Sequence, residues 1–161
     1  MKQQYIVDMS KPSALGKLKI YPLSDQYDIV SGGVTIRSYP ICVKEEDKQR
    51  CKYFKEKQGV QFIFEDCIPE INFYSVPSVE IFAVDFSGGY FGMISPFCIA
   101  EGPICYINSN RTCYIIADDY NSFYELLLQP NDWREKMVIT DEIQFYDSKQ
   151  DAENQGITFI S

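Results

Sequence analysis

The stretch from Ser78 to Asp119, SVEIFAVDFSGGYFGMISPFCIAEGPICYINSNRTCYIIADD, constrains the fold more than any other part of the chain. Four runs rich in β-branched and aromatic residues (VEIFAVDF, YFGMIS, PICYIN and TCYIIA) are divided by turn-forming residues. Such side chains pack well on a pleated surface, so the runs read as strands. Ser87-Gly88-Gly89 and Ser109-Asn110-Arg111 are short enough to reverse the chain. The pattern therefore predicts two hairpins joined into a four-stranded antiparallel meander.

A helix is expected directly after it, in DDYNSFYELLLQP. Asp119 suits the N-cap, where a carboxylate accepts from free backbone N–H groups, and Tyr120, Phe123, Leu126 and Leu127 recur at helical spacing. That stripe should lie on the sheet, and Pro130 should end the segment. A second helix is expected over 44–59, KEEDKQRCKYFKEKQG: acids lead, lysines follow, and Gly59 supplies a stop. With only Cys51 and Phe54 as an apolar stripe, its charges read as a solvated face. GKLKIYPL, GVTIRSYPICV and VQFIF read as short strands, punctuated by Pro22, Pro40 and the Gly32-Gly33 turn, and a loop through Pro69 and Pro77 follows. NDWREKM and DSKQDAENQG read as short helices flanking a strand-like EIQFY. Trp133 reads as an anchor at the edge of the core, with an interface hot spot as the sharper alternative. At 161 residues and 45% hydrophobic, the chain is expected to form one α+β domain over 1–161, with helices packed on an antiparallel β-meander sheet.

Several chemistries are disfavoured by composition. There is no histidine, which removes Ser-His and Cys-His activation and the commonest zinc ligand. The net charge of −8 disfavours nucleic acid and anionic membranes, which attract clustered Lys and Arg, and favours a basic protein partner. Cys42, Cys51, Cys67, Cys98, Cys105 and Cys113 include no CxxC pair. The opening MKQQYIVDMSKPSALG holds no long apolar core or small-residue cleavage site, so a cytoplasmic chain with reduced thiols is expected. Cys105 and Cys113 could face each other across a hairpin, but read better as buried small hydrophobes. The loop Asp85-Phe86-Ser87-Gly88-Gly89 has no lysine nearby and precedes a strand-like run, so it reads as a turn whose glycines supply positive φ, and not as a phosphate cradle or nucleophile elbow. The acid pairs Glu65-Asp66, Asp118-Asp119 and Asp141-Glu142 read as caps and solvated charges in preference to metal or acid–base sites.

The segment also resembles a known family. Phe82-Ala83-Val84-Asp85, Gly88-Gly89-Tyr90-Phe91, Gly102-Pro103, and Ile116-Ala117-Asp118 leading to Tyr120 and Phe123 resemble, in order and spacing, the signature half of the SUKH superfamily. That superfamily includes bacterial immunity proteins of polymorphic toxin systems and fungal Smi/Knr-type regulators. The resemblance covers residues 78–128; the first 60 residues are atypical, with only Leu23, Tyr27 and Gly32-Gly33 as an echo of the family pattern. It implies a SUKH-like α+β scaffold that is not an enzyme, needs no cofactor or metal, and neutralises a basic toxin domain, such as a nuclease, by direct binding. The alternative is a regulatory or scaffolding protein with no toxin partner. Asp85, Tyr90, Glu101 and Asp118 are the expected partner-contacting residues, and the oligomeric state is left open.

Overall fold

A computed structural model describes residues 3–8, 27–94, 102–130, 132–156 and 158–159. In chain order the strands and helices are β1 (Gln3–Asp8), β2 (Tyr27–Gly32), β3 (Val34–Ile36), α1 (Glu45–Tyr53), β4 (Gln61–Phe62), β5 (Tyr74–Val76), β6 (Val79–Val84) and β7 (Tyr90–Ile94). There follow β8 (Ile104–Ile107), β9 (Cys113–Ala117), α2 (Tyr120–Leu128), a 3-10 turn (Trp133–Lys136), β10 (Val138–Thr140), β11 (Gln144–Tyr146), α3 (Lys149–Asn154) and β12 (Thr158–Phe159). The chain is α+β, and the expected meander is present: β6, β7, β8 and β9 are sequential antiparallel neighbours.

The sheet extends beyond the meander at both sides. β10 adds antiparallel to β9, while β3 adds parallel to β6 and β4 pairs antiparallel with the end of β6. The parallel β3 departs from the purely antiparallel sheet expected. It arises because β3 is fed from a second, three-stranded parallel sheet ordered β12-β1-β2. Gly33, at φ 108°, lets the chain leave that sheet and enter the large one. Three buried serines secure the crossing: Ser78 Oγ lies 2.8 Å from Ser31 Oγ, and Ser75 Oγ donates to the Gly33 carbonyl at 3.1 Å.

Alternation along the strands sorts the core into two faces. Phe91, Met93, Ile104, Tyr106 and Ile116 point to one face, where they meet Phe54, Phe123, Leu126, Leu127 and Trp133. Val79, Ile81, Cys105, Ile107 and Cys113 point to the other, covered by Ile63, Phe73 and Ile143. Among the described residues this second cover carries no helix; Ile63 follows β4, Phe73 precedes β5 and Ile143 precedes β11. Two register shifts widen the helix face. One between Ile81 and Ala83 makes Phe82 an extra residue, and one beside Ile104 and Cys105 does the same for Ile116. Phe82 and Ala83 thus both face the helices, as do Ile116 and Ala117.

The two long helices form where expected. Asp119 caps α2, its carboxylate accepting from Ser122 N at 2.7 Å, and Phe123, Leu126 and Leu127 are buried. α1 starts with Glu45, Glu46 and Asp47, widens into a π turn over Phe54–Gln58, and ends at Gly59 in the left-handed region. Only Phe54 and Gln58 of that π turn are buried, and α1 itself buries no residue. Ser148 caps α3. GKLKIYPL lies outside the described residues. Trp133 is not at the rim: it is 1% exposed, and its Nε1–H donates to the Gln58 carbonyl at 2.8 Å, so the hot-spot alternative gives way to a core role.

Candidate functional site

At one end of the large sheet the β6–β7 and β8–β9 turns stand side by side. The β6–β7 turn is organised by a single carboxylate. Asp85 Oδ1 accepts from Ser87 N at 3.1 Å and Gly89 N at 2.6 Å; Oδ2 accepts from Ser87 Oγ at 2.9 Å and from the Tyr106 hydroxyl at 2.5 Å. Three of these bonds are local and fix the turn as an Asx-type loop. The fourth crosses to β8 and ties the turn to the sheet.

The two glycines have different reasons to be there. Gly88 has φ 88°, as the turn reading expects, and has room for a side chain. Gly89 has no such φ; it is buried against the Tyr106 ring, so its reason is close approach. Phe86, between Asp85 and Ser87, is 70% exposed. A large aromatic is therefore presented to solvent on a loop whose backbone is held from below.

The adjoining β8–β9 turn is built the same way. Asn108 Oδ1 accepts from Asn110 N at 3.0 Å and Thr112 N at 2.9 Å, while Arg111 takes φ 63°. The Arg111 guanidinium donates to Asp147 Oδ1 at 2.5 Å and to the Asn72 carbonyl at 3.0 Å. Tyr90, half-buried on the loop-covered face, stacks edge-on with Phe73 at 5.5 Å and reaches the Glu70 carbonyl at 3.5 Å. This end of the sheet is consequently one braced surface made from four separate segments.

Of the four residues expected to contact a partner, Asp85 and Tyr90 lie here, flanking one turn. Asp118 does not. It is exposed just beyond Ala117, which pairs with Ile104, whereas Tyr90 pairs with Ile107 at the opposite end of β8. Glu101 lies outside the described residues. Asp85 is chiefly a brace, and the residue presented outward is its neighbour Phe86. Sequence reasoning placed Phe86 inside the Asp85–Gly89 turn but did not count it among the contact residues. The signal available was its position after the strand-ending Asp85 and inside the turn.

Burial raises the Asp85 pKa, but the bonds from Tyr106, Gly89 and Ser87 outweigh it, and the net shift is below the ordinary 3.8. A depressed folded pKa means that the unfolded chain takes up the proton more readily. The Asp85 contribution is thus complete above the unfolded value and lost as pH falls through the folded one. The expected result is a urea midpoint that drops below about pH 4, with Asp85→Asn less stable at neutral pH and showing a shallower acid decline. Asp119 and Asp132 are lowered too, by backbone N–H groups of Ser122 and Arg134, so the decline is reduced and not abolished. An unchanged acid limb in Asp85→Asn would contradict this role.

Other candidate groups do not converge. Glu65 Oε1 accepts from Ile41 N, and among the described residues no three Cys, Asp or Glu side chains gather as a metal site. The five described cysteines are free thiols; Cys42 and Cys67 are exposed, while Cys105 and Cys113 are buried. The hydrogen bond with Cys113, with burial, pushes the Cys105 thiol up, away from the reactive thiolate. Among the described residues no helix is long and apolar enough to cross a membrane. Comparison with family models, curated proteins and solved structures finds no match for this chain.

Proposed function

We propose that this protein is a non-enzymatic binding module that neutralises a basic toxin domain in the cytoplasm by direct contact, with the β6–β7 turn at the centre of the contact. The observation that carries the reading is Phe86: 70% exposed, on a turn held by four hydrogen bonds to Asp85. Aromatic anchors on preordered backbone lose little entropy on binding and dominate interface energetics. The exposed Glu70 beside Tyr90 and the net charge of −8 favour a cationic partner and speed its encounter. The likeness of residues 78–128 to the SUKH signature supports a toxin as that partner.

The test is co-purification with the product of the adjacent gene, coupled to rescue of growth when that product is expressed. Binding and rescue are expected, and Phe86→Ala should weaken binding by about 30-fold. Because Phe86 packs little, that variant should keep its stability within about 0.5 kcal/mol. Failure to bind or rescue against any neighbouring toxin overturns the reading. Undiminished affinity in Phe86→Ala overturns the placement of the contact.

A further inference from the structure

A cleft of about 580 Å³ opens between α1 with its π turn and the segment from Gln61 to Asp66. Four apolar side chains line it: Phe62 is buried, Phe64 and Cys51 are half-buried, and Ile41 is 55% exposed. Burial raises the Cys51 pKa, so the thiol is neutral and counts with the apolar groups. The walls are held by the chain's own hydrogen bonds. Tyr39 N donates to the Ile63 carbonyl at 2.8 Å, Glu65 N to the Tyr39 carbonyl at 2.9 Å, and Ile41 N to Glu65 Oε1 at 3.0 Å. On the helix side Val60 N donates to the Phe54 carbonyl at 3.2 Å, joining the π turn to the start of β4. Lys48, Lys52 and Lys55 follow one another four and then three residues apart, so they share the flank of α1 and its π turn next to Cys51. All three line the cleft, and among the described residues none of them is ion-paired. Glu56 and Asp66 line it as well, which leaves one net positive charge beside an apolar hollow in a chain of net charge −8.

We propose that this cleft binds a small organic monoanion, a carboxylate carried on an aromatic or acyl body. The apolar body lies against Ile41, Phe62 and Phe64, and the carboxylate meets the lysine flank. The volume falls within the range of about 300–1,000 Å³ typical of small-molecule sites. Charge sets the class of ligand. A neutral molecule would leave the three ammonium groups unanswered, and a cation would be repelled by them. A polyanion would meet Glu56 and Asp66 in the same space. Lysine is a point charge on a flexible stem, which serves a single carboxylate, whereas the arginine fork that grips phosphate is absent from the described lining. The basic residues of α1 therefore divide between two tasks: Arg50 donates to the Tyr124 hydroxyl at 3.4 Å, and the lysine flank serves the cleft.

Calorimetric titration of the full chain with naphthoate, indoleacetate and decanoate tests the proposal. At low salt one or more of them should bind with a dissociation constant on the order of 100 μM. The neutral amide of that ligand should bind about tenfold more weakly, and raising NaCl to about 0.5 M should weaken the anion alone, by about threefold. Lys48→Gln, Lys52→Gln and Lys55→Gln combined should weaken the anion about tenfold; all three lysines are exposed, so the urea midpoint should stay in place. The site is read from Cys51 in a background carrying Cys42→Ser, Cys67→Ser and Cys98→Ser, where Cys105 and Cys113 are shielded by burial. Bound ligand should slow alkylation of Cys51 by iodoacetamide. No saturable binding of any of the three carboxylates up to about 5 mM overturns the proposal. Equal affinity for anion and amide, or for the parent chain and the triple glutamine variant, overturns the pairing of carboxylate with lysine. Binding that leaves the alkylation rate of Cys51 unchanged overturns the site.

Discussion

Replacing Gly89 with alanine is expected to destabilise the protein by about 3 kcal/mol, more than the same change at Gly88. A Cβ at position 89 would lie 2.6 Å from Tyr106 Cζ, and closer still to its hydroxyl oxygen. The ring cannot retreat freely, since it packs at 5.0 Å from Phe91 and 5.1 Å from Trp133. Overfilling a packed site costs about 1–3 kcal/mol. Displacing Tyr106 also removes its hydrogen bond to the Asp85 carboxylate, and bonds to charged groups contribute about 1.5–3 kcal/mol. At Gly88 an added methyl meets nothing closer than Ser109 Cβ at 3.9 Å, so only the φ of 88° resists it, at about 1 kcal/mol. Urea denaturation of the two variants decides the matter; a larger loss for Gly88→Ala would mean that turn conformation outweighs the Tyr106 contact.

Trp133→Ala should cost about 4 kcal/mol, a large share of the 5–15 kcal/mol that holds a typical domain together. The side chain fills the space between Phe91 at 4.9 Å and Tyr106 at 5.1 Å, while its Nε1–H satisfies the Gln58 carbonyl. Trp133→Phe retains most of the volume but leaves that carbonyl without this donor, and should cost about 2 kcal/mol. Circular dichroism during urea denaturation gives both values. A loss below about 1 kcal/mol for Trp133→Ala would show that the site collapses around the deletion. Both Gly89→Ala and Trp133→Ala disturb Tyr106, so the double variant should lose less than the sum of the single losses.

The same residues show which parts of the fold can be read from the sequence. The meander was legible because β-branched and aromatic runs alternate with Ser87-Gly88-Gly89 and Ser109-Asn110-Arg111, signals that act over a few residues. Asp119 and Gly59 were legible for the same reason: caps are local chemistry. β5 was not, because Tyr74–Val76 sits in a stretch broken by Pro69 and Pro77 and owes its strand to pairing with Gln144–Tyr146. β10 was hidden between Met137 and Asp141, too short to show a period and fixed by β9. Trp133 looked peripheral because its neighbours in sequence are polar; its burial is decided by Phe91 and Tyr106, which are remote along the chain. Of the candidate site, the turn itself was readable, but Gly89 was assigned the role of Gly88. The constraint on Gly89 is a ring on another strand.

The division of labour within the β6–β7 turn has a consequence for how such a surface can change over generations. Asp85, Gly89 and Tyr106 hold the loop, while the Phe86 side chain, largely in solvent, contributes little to holding it. In the proposed contact, substitutions at 86 would alter recognition at small cost to folding, whereas substitutions at the three supports must first survive a stability penalty. Variation should accumulate at the tip and be purged from the frame. A lineage facing a changing partner could retune its contact through this one position while inheriting the rest of the turn intact.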